Sequence, residues 1–96
     1  MKKRITVVLL SLLALAGCSG LELQRDLMLK EGHPTPYVDG YIDGCPSGKA
    51  AGGNMYHRFT KNVMRFEVDS LYRQGWTDGF EVCRSEYLAW RRSMKY

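Results

Sequence analysis

Tyr72-Arg73-Gln74-Gly75-Trp76-Thr77-Asp78-Gly79-Phe80-Glu81-Val82-Cys83 is the stretch that decides the fold. Its large apolar side chains recur at Tyr72, Trp76, Phe80 and Cys83, in the steps of three and four that mark a helix. Working outward, the same stripe takes in Val68 before it and Tyr87, Trp90 and Met94 after it. Arg73, Asp78, Glu81, Arg84, Glu86, Arg91 and Arg92 fall mostly off the stripe, and no proline follows Pro46. One long carboxyl-terminal helix, from about Asn62 to Met94, is the expectation, and the protein reads as mainly α. The run Met64-Arg65-Phe66-Glu67-Val68-Asp69 alternates apolar and polar residues, so a short strand ahead of the helix stays open.

Gly75, Gly79 and Cys83 are spaced by four, which places them on one bare line of that helix. A second glycine-rich segment lies upstream, with Gly40, Gly44, Gly48 and Gly52 at the same spacing. Tyr41-Ile42-Asp43-Gly44-Cys45 also looks like part of Tyr72–Gly79. Glycine allows backbones to approach as no other residue does. The expected arrangement therefore packs Gly75 and Gly79 against Gly40 and Gly44. Against a continuous upstream helix stand the cost of glycine, about 1 kcal/mol each relative to alanine, and Pro46. A helical turn near 37–44, a break at Cys45-Pro46 and an irregular return through Gly53 are predicted. Asp39, Asp43 and Asp78 beside glycines read as turn formers in preference to calcium ligands.

At the amino terminus Met1-Lys2-Lys3-Arg4 precedes an apolar run from Ile5 to Ala16, broken only by Thr6 and Ser11. This is the layout of a secretory signal. About 12 apolar residues fall short of the roughly 20 needed to span a bilayer. The next residues, Leu15-Ala16-Gly17-Cys18, resemble the lipobox of bacterial lipoproteins. That resemblance implies diacylglycerol joined to the Cys18 sulfur, cleavage of residues 1–17, and acylation (palmitate) of the new amino terminus. Ser19, where aspartate would favour inner-membrane retention in lipoproteins of the enterobacterial type, implies the periplasmic face of the outer membrane. Tyr72–Cys83 faintly resembles uncharacterised small envelope lipoproteins over about a dozen residues, and brings no activity with it.

Cleavage changes the composition that matters. The 96-residue chain carries +4, but three of its bases and none of its acids lie in residues 1–17. The mature chain holds eleven bases and ten acids, a net +1, which gives no support to nucleic-acid binding. With Cys18 taken by lipid, Cys45 and Cys83 are left as a pair in an oxidising compartment. An internal disulfide is expected, with pairing to another protein as the alternative. Residues 18–36 read as a lipidated tether, helical at most over 21–31, and residues 37–96 as one small disulfide-stapled domain.

The chemistry in the sequence is sparse. His33 and His57 have no partner spacing for nucleophilic or metal-ligating work, and Ser47-Gly48-Lys49 reverses the order that a phosphate-binding loop requires. No enzyme activity, metal or other cofactor is expected. Trp90, Arg91 and Arg92 near the carboxyl end offer a partner contact, although cations at a helix carboxyl end are also explained by its dipole. The expected role is an anchored envelope or secretion accessory acting by protein–protein binding. A ligand-binding or inhibitor module, for peptidoglycan or a hydrolase, is the alternative.

Overall fold

A computed structural model describes residues 20–94, and all described regular structure is helical: α1 (Gly20–Lys30), α2 (Thr35–Ala51), α3 (Val63–Val68) and α4 (Ser70–Ser93). The protein is a small α domain in which the long carboxyl-terminal helix packs on the glycine-rich one. Cys45 and Cys83 form a disulfide across that contact, with Cα atoms 5.1 Å apart. Its loop of 38 residues makes the bridge worth about 3–4 kcal/mol on chain-entropy grounds.

Helices α2 and α4 run parallel. A Cβ added at Gly40 would strike the Tyr72 carbonyl, at Gly44 the Trp76 carbonyl, and at Gly48 the Phe80 carbonyl. Reciprocally, Gly75 faces the Tyr37 carbonyl and Gly79 lies 2.7 Å, by the same measure, from that of Tyr41. Partner numbers rise together along both helices, which only parallel packing produces. Glycine on both sides brings the backbones together, at the separation where Cα–H···O contacts form.

The break expected at Cys45-Pro46 does not occur: α2 is one helix through Pro46. Proline removes the donor to the Ile42 carbonyl and costs about 3 kcal/mol inside a helix. The disulfide one residue earlier and glycine contacts on both sides hold the helix against that cost. Helix α2 starts at Pro34, whose carbonyl accepts the Val38 N–H at 3.0 Å. It stops at Gly53, whose φ of +104° suits glycine, with Asn54 N–H returning to the Lys49 carbonyl.

The predicted single helix over 62–94 is two. Asp69, extended at φ −110° and ψ 102°, ends α3 and caps α4 by accepting from the N–H groups of Leu71 and Tyr72 at 3.1 Å each. Asn62 caps α3 in the same way through Arg65 N–H. The alternating run 64–69 is therefore helical down to Val68, and the strand left open does not form.

The segment expected to be a tether holds α1, which is docked. Arg25 of α1 and Arg65 of α3 take the two carboxylate oxygens of Asp39, at 3.1 and 3.4 Å.

Candidate functional site

Parallel neighbours need a crossover, and residues 52–69 supply it. Ser47 is fully buried on α2. Its Oγ accepts the Thr60 N–H at 2.7 Å, and its one proton is placed between the carbonyls of Asp43 and Thr60, at 2.7 and 2.9 Å. Trp76 Nε1 donates to the same Thr60 carbonyl at 2.8 Å. Asn62 N–H donates to the Tyr72 hydroxyl at 3.0 Å. Phe59 and Phe66 pack edge-on against Trp76, which stacks on Phe80 with centroids 5.0 Å apart. The crossover is thereby fixed in place while much of its outer side stays exposed.

The two helices also exchange a matched pair of hydrogen bonds. Tyr72 OH donates to Asp43 at 2.6 Å, and Tyr37 OH donates to Asp78 at 2.7 Å. A shift of 35 positions carries Tyr37, Gly40, Asp43 and Gly44 onto Tyr72, Gly75, Asp78 and Gly79. The structural repeat therefore pairs Tyr72 with Tyr37, whereas the likeness seen in the sequence alone set it beside Tyr41. Burial first, and then hydrogen bonding to the facing aspartate, pushes both Tyr37 and Tyr72 up to about 12. Burial and the nearby Glu86 charge raise Tyr41 as well. Asp69 is held below the usual carboxylate range, chiefly by the Tyr72 N–H it caps and further by Arg65.

Asp39, Asp43 and Asp78 are thus not turn formers. They lie inside helices and accept from arginine or tyrosine. Ser47 of Ser47-Gly48-Lys49 is a buried structural node, and Cys45 is spent in the bridge. Cys18 lies outside the described residues.

The exposed candidates gather at the carboxyl end of α4. Trp90 is 55% exposed and stacks on Tyr87 with ring centroids 5.8 Å apart. Arg91 donates to the Gly52 carbonyl at 3.0 Å, tying this end to the end of α2. Arg92 is exposed beside it. A shallow depression of about 300 Å³ opens here, lined by Lys49, Asn54, His57, Glu86, Tyr87 and Trp90. It presents both charge signs and two aromatic faces, a lining suited to binding. Among the described residues no group of three or more His, Cys, Asp or Glu is placed to hold a metal ion.

Of the residues singled out by sequence, Gly40, Gly44, Gly75 and Gly79 meet at the helix contact, and Trp90, Arg91 and Arg92 share one end. The sequence reading passed over Tyr37 and Thr60, and weighed Ser47 only as part of a phosphate-binding loop. The 35-residue offset was the signal that would have found Tyr37. No protein-family profile, curated protein or solved structure matches this chain.

Proposed function

We propose that the protein is a lipoprotein, held by lipid on Cys18 at the periplasmic face of the outer membrane, that works by binding an envelope protein partner. The observation that carries this reading is the pre-ordered end of α4. Trp90 is half-exposed yet stacked on Tyr87, and Arg91 is fixed by the Gly52 carbonyl. Tryptophan, tyrosine and arginine dominate binding energy at protein interfaces, and residues already ordered lose little entropy on association. The lipobox residues at 15–18 support the anchor, and the glycine contacts and disulfide give the patch a rigid base.

Cross-linking in envelopes tests the partner. The native protein is expected to give a discrete cross-linked species that is lost with Trp90→Ala and Arg92→Glu. Background alone, or a species indifferent to both substitutions, contradicts the proposal. The depression between Lys49, Glu86 and Trp90 supports a second reading, a module for a peptidoglycan fragment carrying both charges. Sedimentation with purified sacculi distinguishes it from the first.

A further inference from the structure

We infer, on the reading that the protein binds an envelope partner, that the side of the α2–α4 contact opposite the crossover is a groove for an extended segment of that partner. The segment carries an apolar residue followed two positions on by lysine or arginine. Residues four apart share one line of a helix, so the glycine contact has two sides. On the first, Tyr72 and Trp76 of α4 lie beside Asp43 and Ser47 of α2: Tyr72 donates to Asp43, and Trp76 and Ser47 both bond Thr60 of the crossover. The shift of 35 positions carries Tyr37, Tyr41, Asp43 and Ser47 onto Tyr72, Trp76, Asp78 and Val82. On the second side Tyr37 accordingly donates to Asp78, and its ring lies 6.3 Å from that of Tyr41. Glu86, one turn beyond Val82, lines the depression with Lys49 and Trp90, so this side runs straight into it.

The first side is filled and the second is open. Arg25 of α1 and Arg65 of α3 attach to Asp39, in line with Asp43 and Ser47, so α1 and α3 join the crossover on the first side. There Ser47 is fully buried and Trp76 is 6% exposed, whereas Val82, the counterpart of Ser47, is 43% exposed. Tyr41 is partly exposed and Glu86 exposed. The crossover shows what such a side accepts: Phe59 packs on the Trp76 ring at 5.5 Å, and Lys61 Nζ lies 4.7 Å from the same ring centroid. Tyr41 stands in the place of Trp76 and offers a ring to the same pair, an apolar side chain and a cation. The open side adds charge. Burial first, and then Glu86 and Asp78, raise Tyr41, so both acids lie near it. Among the described residues neither acid pairs with a base. Exposed acids attract a basic segment and make its binding salt-dependent. Val82 offers no hydrogen bond where Ser47 offers two, so an occupant here is exchangeable, unlike the crossover.

Titration followed by nuclear magnetic resonance tests the groove. The isotope-labelled mature protein, oxidised and in detergent, receives a synthetic peptide of the crossover's own sequence, His57 to Val63. A second titration uses the same peptide carrying Arg58→Glu and Lys61→Glu. The first peptide is expected to shift the amides of Tyr41, Val82 and Glu86 but not that of Trp76, and to bind more weakly in salt. The acidic peptide is expected to bind at least tenfold more weakly. Val82→Lys with Glu86→Lys in the protein is expected to lower binding at least tenfold, with the helical circular dichroism and the disulfide retained. Unmoved amides at Tyr41, Val82 and Glu86, equal binding of the two peptides, or shifts confined to Trp76 overturn the inference. So does movement of the same amides with protein concentration alone, which assigns the face to a second copy. Such a failure with the Trp90-dependent cross-link retained removes the groove alone, whereas absence of that cross-link removes the partner reading.

Discussion

Gly44→Ala probes the helix contact near its middle, at one of its closest approaches. In an open helix this change stabilises by about 1 kcal/mol, so propensity alone predicts a gain. Here the new Cβ would meet the Trp76 carbonyl oxygen, with the Trp76 C and Cα at only 2.8 and 2.9 Å. All of these are backbone atoms, so no side chain can turn away. Relief requires the helices to separate, and they are pinned by the disulfide at the next residue and by the Tyr–Asp bonds on either side. Overpacking in a well-filled core costs about 1–3 kcal/mol where neighbours can shift. With rigid neighbours, a net loss on the order of 3 kcal/mol is expected after the propensity gain. Urea denaturation of the oxidised protein measures it, with Gly20→Ala as the control because a Cβ there meets nothing within 4 Å. A Gly44→Ala protein as stable as the native one would refute backbone-to-backbone packing of α2 on α4.

Further predictions concern the bonds around that contact. Tyr72→Phe removes the donor to Asp43 and the acceptor for Asn62 N–H. The expected loss is about 1–3 kcal/mol, read from the same denaturation curves. Ser47→Ala leaves the Thr60 N–H without its partner, and faster amide exchange at Thr60 and Asn62 is the expected signature. Reducing the Cys45–Cys83 bridge should lower the denaturation midpoint by the equivalent of about 3–4 kcal/mol, while a midpoint unchanged by reductant would remove the bridge's stabilising role. Tyr37 and Tyr72 are raised from 10.0 to about 12 in the folded protein. The folded state therefore holds these protons when the unfolded chain has lost them. Their stabilisation is complete below pH 10 and declines as pH rises from about 10 to 12. Alkaline unfolding should be less steep in the Tyr37→Phe, Tyr72→Phe double variant.

The sequence carried α4 plainly, because its stripe from Tyr72 to Trp90 repeats at the helical period with charges set aside. It also carried the meeting of Gly40 and Gly44 with Gly75 and Gly79, since two runs of equal spacing have one economical way to touch. The cysteine pair followed once Cys18 was assigned elsewhere. Pro46 misled because the local rule is real, and its cost is outweighed only by packing that lies far away in sequence. The break at Asp69 was hidden because a capping aspartate and a solvent-facing one look alike until the chain turns. The reciprocal Tyr–Asp bonds depend on the helices being parallel, and nothing in either helix alone states its direction relative to the other. Trp90, Arg91 and Arg92 were legible as residue types, but the stacking on Tyr87 and the tie to Gly52 that pre-order them were not.

Cys18 is the proposed anchor, and mass spectrometry of the protein recovered from envelopes tests that directly. The expected species is a chain beginning at Cys18, heavier by a diacylglyceryl group and an amide-linked acyl chain, and lighter by the two hydrogens of the Cys45–Cys83 bridge. A chain that keeps residues 1–17, or one whose Cys18 carries no lipid, would contradict it.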